Sequence, residues 1–418
     1  MPDKKKQLKG KKSSMSDTAI SLKKFMKTYE NHCAQTQTYV SPTVKKGVQR
    51  AIENGKPLSK IILACPDKSI GGPRPVYLKP LIMAIRDERY MIAKELCVWN
   101  VQLNNQEIAN LSILLELQGL TKYPFSKLEL FDCGIDAWSV ERLGKSINFS
   151  SLTSVNLDYN EFGDEGLKRF VLGLQGHSQL LSVSMCYCNL GPSSGAPLGE
   201  LISQSAIHEL YLNGNYLQCE GSMELIRPLV DSLEKQEQKS LYESGHIIVK
   251  HFLEATQLSG IQSAVSAVSD GFTEQEAAQP PQGMSVTNKK KGKKKVRKKK
   301  KGEQLKPGPW LTKLHLADNG IDGRGMKGKP APLEFIQMIC QLIKDSKHLI
   351  ELDLEDNSVG DLSGNEILEA LKQRKEAKHP MLQIRVTARM NPDTFSAIFK
   401  YSKKLKSIKK HKKKKTKK

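Results

Sequence analysis

Apolar and polar positions recur along the chain in a spacing that alternates between a strand pattern and a helix pattern. The clearest copy is Ile207–Leu217, IHELYLNGNYL, with apolar residues at its first, fourth, sixth and eleventh positions and Asn215 at the ninth. Ala93–Leu103 fits less well, with Val101 at the ninth position, and Leu58–Leu63 matches the start of the template. The template fits five further segments well: 125–135, 152–162, 180–190, 311–321 and 349–359.

The copies are regularly spaced. The fourth-position residues Leu128, Val155, Val183 and Leu210 lie 27, 28 and 27 residues apart. Between copies the apolar spacing becomes helical, as in the face that begins at Leu167 and ends at Leu174. A strand and a helix in each period of this length predict a solenoid of stacked units.

These segments resemble the leucine-rich repeat. Their spacing is similar to that of the long subclass found in ribonuclease inhibitor, Ran GTPase-activating proteins and innate immune sensors. The resemblance covers roughly residues 90–235 and 310–390. It implies an α/β fold, a curved horseshoe with a parallel inner sheet and outer helices. The ninth-position Asn, replaced by Cys133 and Cys188 in two copies, is expected to bond buried backbone groups of the turn.

The repeat is interrupted once. Leu210 and Leu314 are 104 residues apart, and removing residues 237–309 would leave about one period, so we expect the solenoid to continue across an insertion. The predicted organisation is a basic, largely disordered segment (1–50), an N-terminal cap and repeats (51–236), an insertion with a Lys-rich linker (237–309), repeats and a C-terminal cap (310–390), and a Lys-rich tail (391–418).

Positive charge is confined to a few segments. Residues 289–301 hold 11 Lys or Arg, residues 400–418 hold 12 Lys, and residues 1–12 hold six Lys and one Asp. The whole chain carries a formal net charge of +22, so the remaining body is mildly acidic. Dense runs of like charge repel themselves and bury little apolar surface, which predicts disorder in the Lys-rich segments.

The Lys runs allow three roles: a solubilising tail, a nuclear import signal, or binding to a polyanion such as nucleic acid. The runs contain almost no aromatic residues, so any nucleic-acid binding is expected to be phosphate-driven, non-specific and sensitive to salt. The candidate residues for targeting or polyanion binding are Lys293, Lys294, Lys295, Arg297, Lys298, Lys412, Lys413, Lys414 and Lys415.

The remaining motifs indicate no enzyme. The Gly323–Gly328 stretch GRGMKG is followed by KPAP rather than by a helix start, which favours a loop over a nucleotide site. Cys186 and Cys188 have no second pair spaced to complete a zinc site. We therefore predict no cofactor and no metal. The eight scattered Cys, the absence of an apolar leader and the absence of a membrane span predict an intracellular protein, cytoplasmic or nuclear, with a cilium as a further location by analogy.

The inner face of the solenoid is the candidate site. Positions 3, 5, 7 and 8 of each copy should face it, and five consecutive repeats place an aromatic residue there. The last repeat is acidic at all four positions, which suits a basic ligand, including the protein's own Lys tail. Exposed aromatic residues beside acids are typical of a protein-binding surface. The predicted partner-binding residues are Trp99, Phe131, Asp132, Asp158, Tyr159, Tyr187, Tyr211, Glu351, Asp353 and Glu355.

The sequence thus predicts a non-enzymatic scaffold or adaptor that binds a protein partner through the repeats, while its basic segments target or anchor it. Two alternatives remain open. The first is a nuclear RNA- or chromatin-associated protein that acts through its Lys-rich segments. The second is a structural component of cilia or axonemes.

Overall fold

The computed structural model describes residues 4–65, 75–174, 177–258, 308–358 and 360–412. Side chains are described for most of these residues, but not for 4–16, 240–241, 243–258 and 403–412. Residues 289–301 lie outside the described part of the chain, so the predictions for Lys293 to Lys298 rest on sequence alone.

The strands form a nine-stranded sheet in which strand order equals chain order and each neighbouring pair is parallel. This topology arises because every strand is followed by a helix that carries the chain back to the same edge of the sheet. The strands are β1 (Lys60–Ala64), β2 (Glu95–Trp99), β3 (Lys127–Phe131), β4 (Ser154–Asn156), β5 (Ser182–Ser184), β6 (Glu209–Tyr211), β7 (Lys313–His315), β8 (Glu351–Leu354) and β9 (Gln383–Val386).

The register confirms the repeat assignment. Fourth-position residues are paired from strand to strand, including Leu210 with Leu314 across the insertion. The solenoid therefore continues from β6 to β7, as the spacing predicts. Residues 235–258 belong to a unit separate from the repeats, and residues 259–307 lie outside the described part of the chain.

Helices follow the strands, and the sequence marks several of their starts. Asn104 accepts the backbone N–H of Glu107 at 2.9 Å while the Glu107 carboxylate accepts that of Asn104, which forms a capping box. Asp136 caps the next helix through the Ser139 N–H. The helices are α1 (Lys4–Gln35), α2 (Pro42–Glu53), α3 (Lys79–Asp87), α4 (Asn105–Glu116), α5 (Ala137–Ile147), α6 (Gly163–Gly173), α7 (Gly195–Gln204), α8 (Gln218–Leu258), α9 (Ala331–Asp345), α10 (Asp361–Glu376) and α11 (Pro392–Lys412).

The ninth-position side chains form hydrogen bonds between neighbouring turns. Asn160 accepts the backbone N–H groups of Cys133 and Ile135 at 3.0 and 3.1 Å. Its amide donates to the carbonyls of Leu130 and Leu157 at 2.7 and 2.8 Å. Asn215 and Asn357 repeat this arrangement. The expectation that these residues satisfy buried backbone is therefore confirmed.

The N-terminal segment differs from the prediction of a largely disordered segment over residues 1–50. Helix α1 buries Leu22, Phe25, Tyr29 and Cys33, which follow one helical face. The Phe25 ring lies 4.9 Å from that of Tyr90, and Thr28 donates to Glu88 at 2.6 Å. The cap therefore begins well before residue 51, because this apolar face outweighs the basic residues that precede it.

The C-terminal segment also differs from the predicted tail over residues 391–418. Residues 392–412 form α11, which buries Ile398 beside the last strand. The Ser402 hydroxyl accepts the Ile384 N–H at 3.0 Å, so α11 supplies a hydrogen bond to the edge strand β9. Lys412 is the last residue of this helix, and Lys413, Lys414 and Lys415 lie outside the described residues.

Candidate partner-binding surface

The eighth position of each repeat has left-handed backbone geometry. Asp, Asn and Gly tolerate positive φ, whereas a bulky side chain there is unusual. Tyr159 and Tyr187 nevertheless occupy this position, with φ of 61° and 54°. The eighth-position residues with positive φ are Asn100, Asp132, Tyr159, Tyr187, Gly214, Asp318 and Asp356.

Three aromatic rings stack along consecutive repeats. The ring centroids of Phe131 and Tyr159 are 4.9 Å apart, and those of Tyr159 and Tyr187 are 4.6 Å apart with an interplanar angle of 15°. A Cβ atom at Gly214 would lie 2.0 Å from the Tyr187 ring, so the missing side chain leaves room for that ring. Tyr159 and Tyr187 remain 45% and 41% exposed.

A cleft of about 520 Å³ adjoins these rings. The residues around it come only from the eighth and tenth positions of four consecutive repeats, where each strand passes into its turn. Tyr216, at a tenth position, is 62% exposed. We call this surface the tyrosine rim; it consists of Asp132, Tyr159, Glu161, Tyr187, Asn189, Gly214 and Tyr216.

The other two predicted aromatic residues lie in polar networks on the sheet. The Trp99 indole donates to Glu129 at 3.1 Å, and the Lys60 ammonium lies 5.8 Å from the ring centroid. The Tyr211 hydroxyl donates to Glu209 at 3.3 Å, and its ring meets that of His315 edge-on at 4.7 Å. Neither residue belongs to the tyrosine rim, so the five predicted aromatics do not form one continuous surface.

The structure corrects the predicted role of two acids. The Asp353 side chain is buried, the residue being only 2% exposed, and it pairs with Arg385 of the next strand at 3.0 Å. Asp158 accepts the Ser184 hydroxyl at 2.6 Å and the Cys186 N–H at 2.8 Å. Both carboxylates bond the following repeat because alternate strand residues meet their neighbours on the same sheet face. They hold the repeats together and are not free for a partner.

Glu351 bonds His315, and the histidine is neutral at neutral pH. Burial lowers the pKa of His315, despite the nearby carboxylates of Asp353 and Glu351, which act to raise it. The imidazole Nε2 lies 3.1 Å from Glu351. A carboxylate only accepts hydrogen bonds, so this nitrogen carries the proton and donates.

His315 is expected to make the fold sensitive to mild acid. Its folded pKa lies below the unfolded value of about 6.5. The unfolded chain then takes up more protons as the pH falls through 6.5, so the free energy of unfolding decreases. His315→Gln should reduce this decrease between about pH 7 and 5, measured by urea unfolding at each pH. An unchanged pH dependence would contradict this role of His315.

The paired cysteines do not have the properties of a metal site. Burial raises the pKa of Cys186 to about 12, so its thiol stays protonated. The Cys188 thiol donates to the Leu157 carbonyl at 3.2 Å and thus supplies one of the bonds of the Asn it replaces. Within the residues that the structure describes, no group of three or more His, Cys, Asp or Glu side chains is placed to hold a metal ion.

The sequence-based prediction included Asp132, Tyr159 and Tyr187 of the rim but not Glu161, Asn189 and Tyr216. These three lie at the tenth position of their repeats, which the template assigns to the turn. The tenth-position residues could have been predicted from the left-handed eighth residue that begins each turn. That backbone places the tenth side chain beside the eighth. Glu355 is exposed on the same edge of the sheet as the rim, together with Asp318 and Asp356.

Comparisons with known proteins agree with this geometry. A family model described as "Leucine Rich repeat" matches residues 150–171 and 309–328. A ribonuclease inhibitor of Mus musculus is 32% identical over 150 residues, which cover 35% of this chain and 33% of that protein. The chain thus spans about a third of the length of this curated relative.

The parallel sheet, the stacked units and the bonded asparagines define a leucine-rich-repeat solenoid. Its units are leucine-rich repeats, and over 150 residues they are similar to those of the ribonuclease inhibitor. Among the described helices, none is both long enough and apolar enough to span a membrane.

Proposed function

We propose that this protein is a non-enzymatic scaffold that binds a partner protein through the tyrosine rim. Proteins with leucine-rich repeats commonly bind other proteins, and the relative from mouse is named as an inhibitor of ribonuclease. The observation that carries the proposal is the exposed, stacked pair Tyr159 and Tyr187 in left-handed positions. The turn of each repeat uses this backbone, which costs a bulky residue about 1–2 kcal/mol, so tyrosine stands at these two positions at a cost in stability.

The rim has the composition of a binding hot spot. Tyrosine is enriched at interface hot spots because it offers a large rigid contact area with a polar hydroxyl. Three exposed tyrosines surround one cleft here, and stacking on each other holds the rings of Tyr159 and Tyr187 in place. The rings therefore lose little conformational entropy when a partner binds.

The chemistry of the thiols supports an intracellular location. All eight cysteines are free, and burial raises the pKa of Cys97, Cys133, Cys186 and Cys219 to about 12. Free, protonated and mostly buried cysteines suit a reducing compartment. The Lys-rich segments are proposed to target or anchor the protein there.

The test is affinity capture from cell lysate at about 150 mM salt, where charge contacts beyond about 8 Å are screened. The rim variant is Tyr159→Asn with Tyr187→Asn, since Asn100 shows that asparagine fits the eighth position. The matched control is Tyr39→Asn with Tyr77→Asn, which removes two tyrosines of similar exposure, 44% and 40%. A third chain lacks residues 289–301.

We expect the rim variant to lose the captured partner, with affinity reduced about 30-fold or more, because a hot-spot residue contributes about 2 kcal/mol. The control and the shortened chain should retain it. If the rim variant keeps the partner while the shortened chain loses it and nuclease releases it, the tyrosine rim is not the working surface and the polyanion alternative is correct.

A further inference from the structure

The carboxylates of the sheet fall into two groups with different surroundings. Those at the third and fifth positions have partners on the sheet. Glu95 pairs with Lys60, Glu129 with Lys127, Glu209 with Lys313 and Asp353 with Arg385, at 3.3, 2.5, 2.8 and 3.0 Å respectively. Glu351 accepts the His315 N–H. Four of these five carboxylates are therefore paired with a Lys or Arg, and Glu351 is hydrogen-bonded to a neutral imidazole.

The carboxylates at the seventh, eighth and tenth positions lack such partners. In the described part of the chain, none of their carboxylate oxygens lies within 4.0 Å of a Lys, Arg or His nitrogen. Asp132 accepts only the Asn100 amide, at 2.8 Å. Asp158, at a seventh position, is bonded to Ser184 and Cys186 of the next repeat. We call the others the rim carboxylates; they are Asp132, Glu161, Asp318, Glu355 and Asp356.

The rim carboxylates and the tyrosine rim belong to one surface. Asp132 and Glu161 border the cleft directly, and no Lys or Arg borders it. On the other side, Asp318 and Asp356 act on Tyr187: partial burial and the charges of Tyr159, Asp318, Cys186 and Asp356 raise the pKa of its phenol. Unneutralised negative charge therefore lies on both sides of the stacked rings.

We propose that the tyrosine rim recognises a cationic segment of the partner protein, rich in Arg or Lys. This rests on the proposed function and adds the chemistry of the partner. The three rim tyrosines Tyr159, Tyr187 and Tyr216 are 45%, 41% and 62% exposed, and a phenol oxygen accepts N–H donors. The hydrocarbon stems of Arg or Lys pack on the ring edges while their charged ends reach the rim carboxylates.

The charge arrangement selects against other ligands. Nucleic acid, acidic peptides and anionic lipid surfaces all meet uncompensated carboxylates here and are repelled. The sheet supplies cations to four of its other carboxylates but not to the rim carboxylates. The partner is therefore expected to supply positive charge to the rim carboxylates.

The test uses the full chain and two fluorescein-labelled probes, octa-arginine and octa-glutamate, followed by fluorescence anisotropy at about 50 and 150 mM salt. The neutralised rim variant carries Asp132→Asn, Glu161→Gln, Asp318→Asn and Asp356→Asn. Asparagine keeps the left-handed backbone, so this variant should fold, and circular dichroism checks it. The charge-matched control changes exposed helix acids: Asp17→Asn, Glu53→Gln, Asp231→Asn and Glu376→Gln.

We expect octa-arginine to bind, octa-glutamate not to bind, and the neutralised rim to weaken octa-arginine about tenfold while the control changes it less than about twofold. Equal weakening in both variants, or no binding of octa-arginine, would overturn the proposal. Capture of the partner from lysate distinguishes failure of the proposed function from failure of the cationic-partner proposal. If the asparagine substitutions of Tyr159 and Tyr187 release it but the neutralised rim retains it, the proposed function stands and the cationic partner is wrong.

Discussion

Asn160→Ala is expected to lower the free energy of unfolding by about 4 kcal/mol, because it leaves four buried backbone groups without their partner at about 1 kcal/mol each. Those groups are the N–H of Cys133 and of Ile135 and the carbonyls of Leu130 and Leu157. They belong to two adjacent repeats, so the loss weakens the interface between repeats as well as one turn. Urea unfolding followed by circular dichroism measures the change.

The matched control is Asn110→Ala, which lies within helix α4 and makes one long side-chain contact, 3.5 Å from Gln106. Alanine also favours the helix, so this variant should unfold within about 0.5 kcal/mol of wild type. Equal stability of the Asn160 and Asn110 variants would show that the ninth-position bonds do not hold the turns together.

Arg374→Met is expected to destabilise the C-terminal repeats by at least about 3 kcal/mol, the range found when a buried charged network loses one member. Arg374 is only 2% exposed and has no carboxylate partner. Its guanidinium donates to the carbonyls of Ile343, Ser346 and Leu349 at 2.7, 2.7 and 2.6 Å, and to Pro380 at 2.7 Å. Burial lowers its pKa to about 10, so it stays charged at neutral pH.

These carbonyls include two at the end of α9, where helix carbonyls lack partners and the dipole is negative. Arg374→Lys should recover only part of the lost stability, because an ammonium cannot reproduce the planar set of N–H donors of the guanidinium. Lys372→Met, on the exposed face of the same helix, is the control and should change stability little. Thermal unfolding of the three variants ranks their stabilities. If Arg374→Lys is as stable as wild type, the planar geometry of the guanidinium is unimportant.

Much of the fold could be predicted from sequence because the repeat template encodes register directly. A residue at the fourth position of one copy must pair with its equivalent, as Leu210 does with Leu314. The N-terminal cap was predicted, but the part of it before residue 51 was not. Its apolar residues, such as Phe25 and Tyr29, lie outside the period and beside a basic run, so charge dominated the interpretation.

The candidate site was less predictable. Strand alternation showed which side of the sheet Asp353 and Asp158 face, but not that Arg385 or Ser184 of the next repeat would use them. Such pairing depends on which residues meet across strands. The tenth-position member Glu161 was hidden because its placement follows from the left-handed Tyr159 two positions earlier, a backbone feature that the letters alone do not show when that residue is tyrosine.

The most direct test of the tyrosine rim is hydroxyl-radical footprinting of the chain, alone and with its captured partner, read by mass spectrometry. Tyr159, Tyr187 and Tyr216 are 45%, 41% and 62% exposed, while Tyr39 and Tyr77, at 44% and 40%, serve as internal references. The account predicts that the partner reduces labelling of the three rim tyrosines and leaves Tyr39 and Tyr77 unchanged. Protection of Tyr39 and Tyr77 with undiminished labelling of the rim would contradict it.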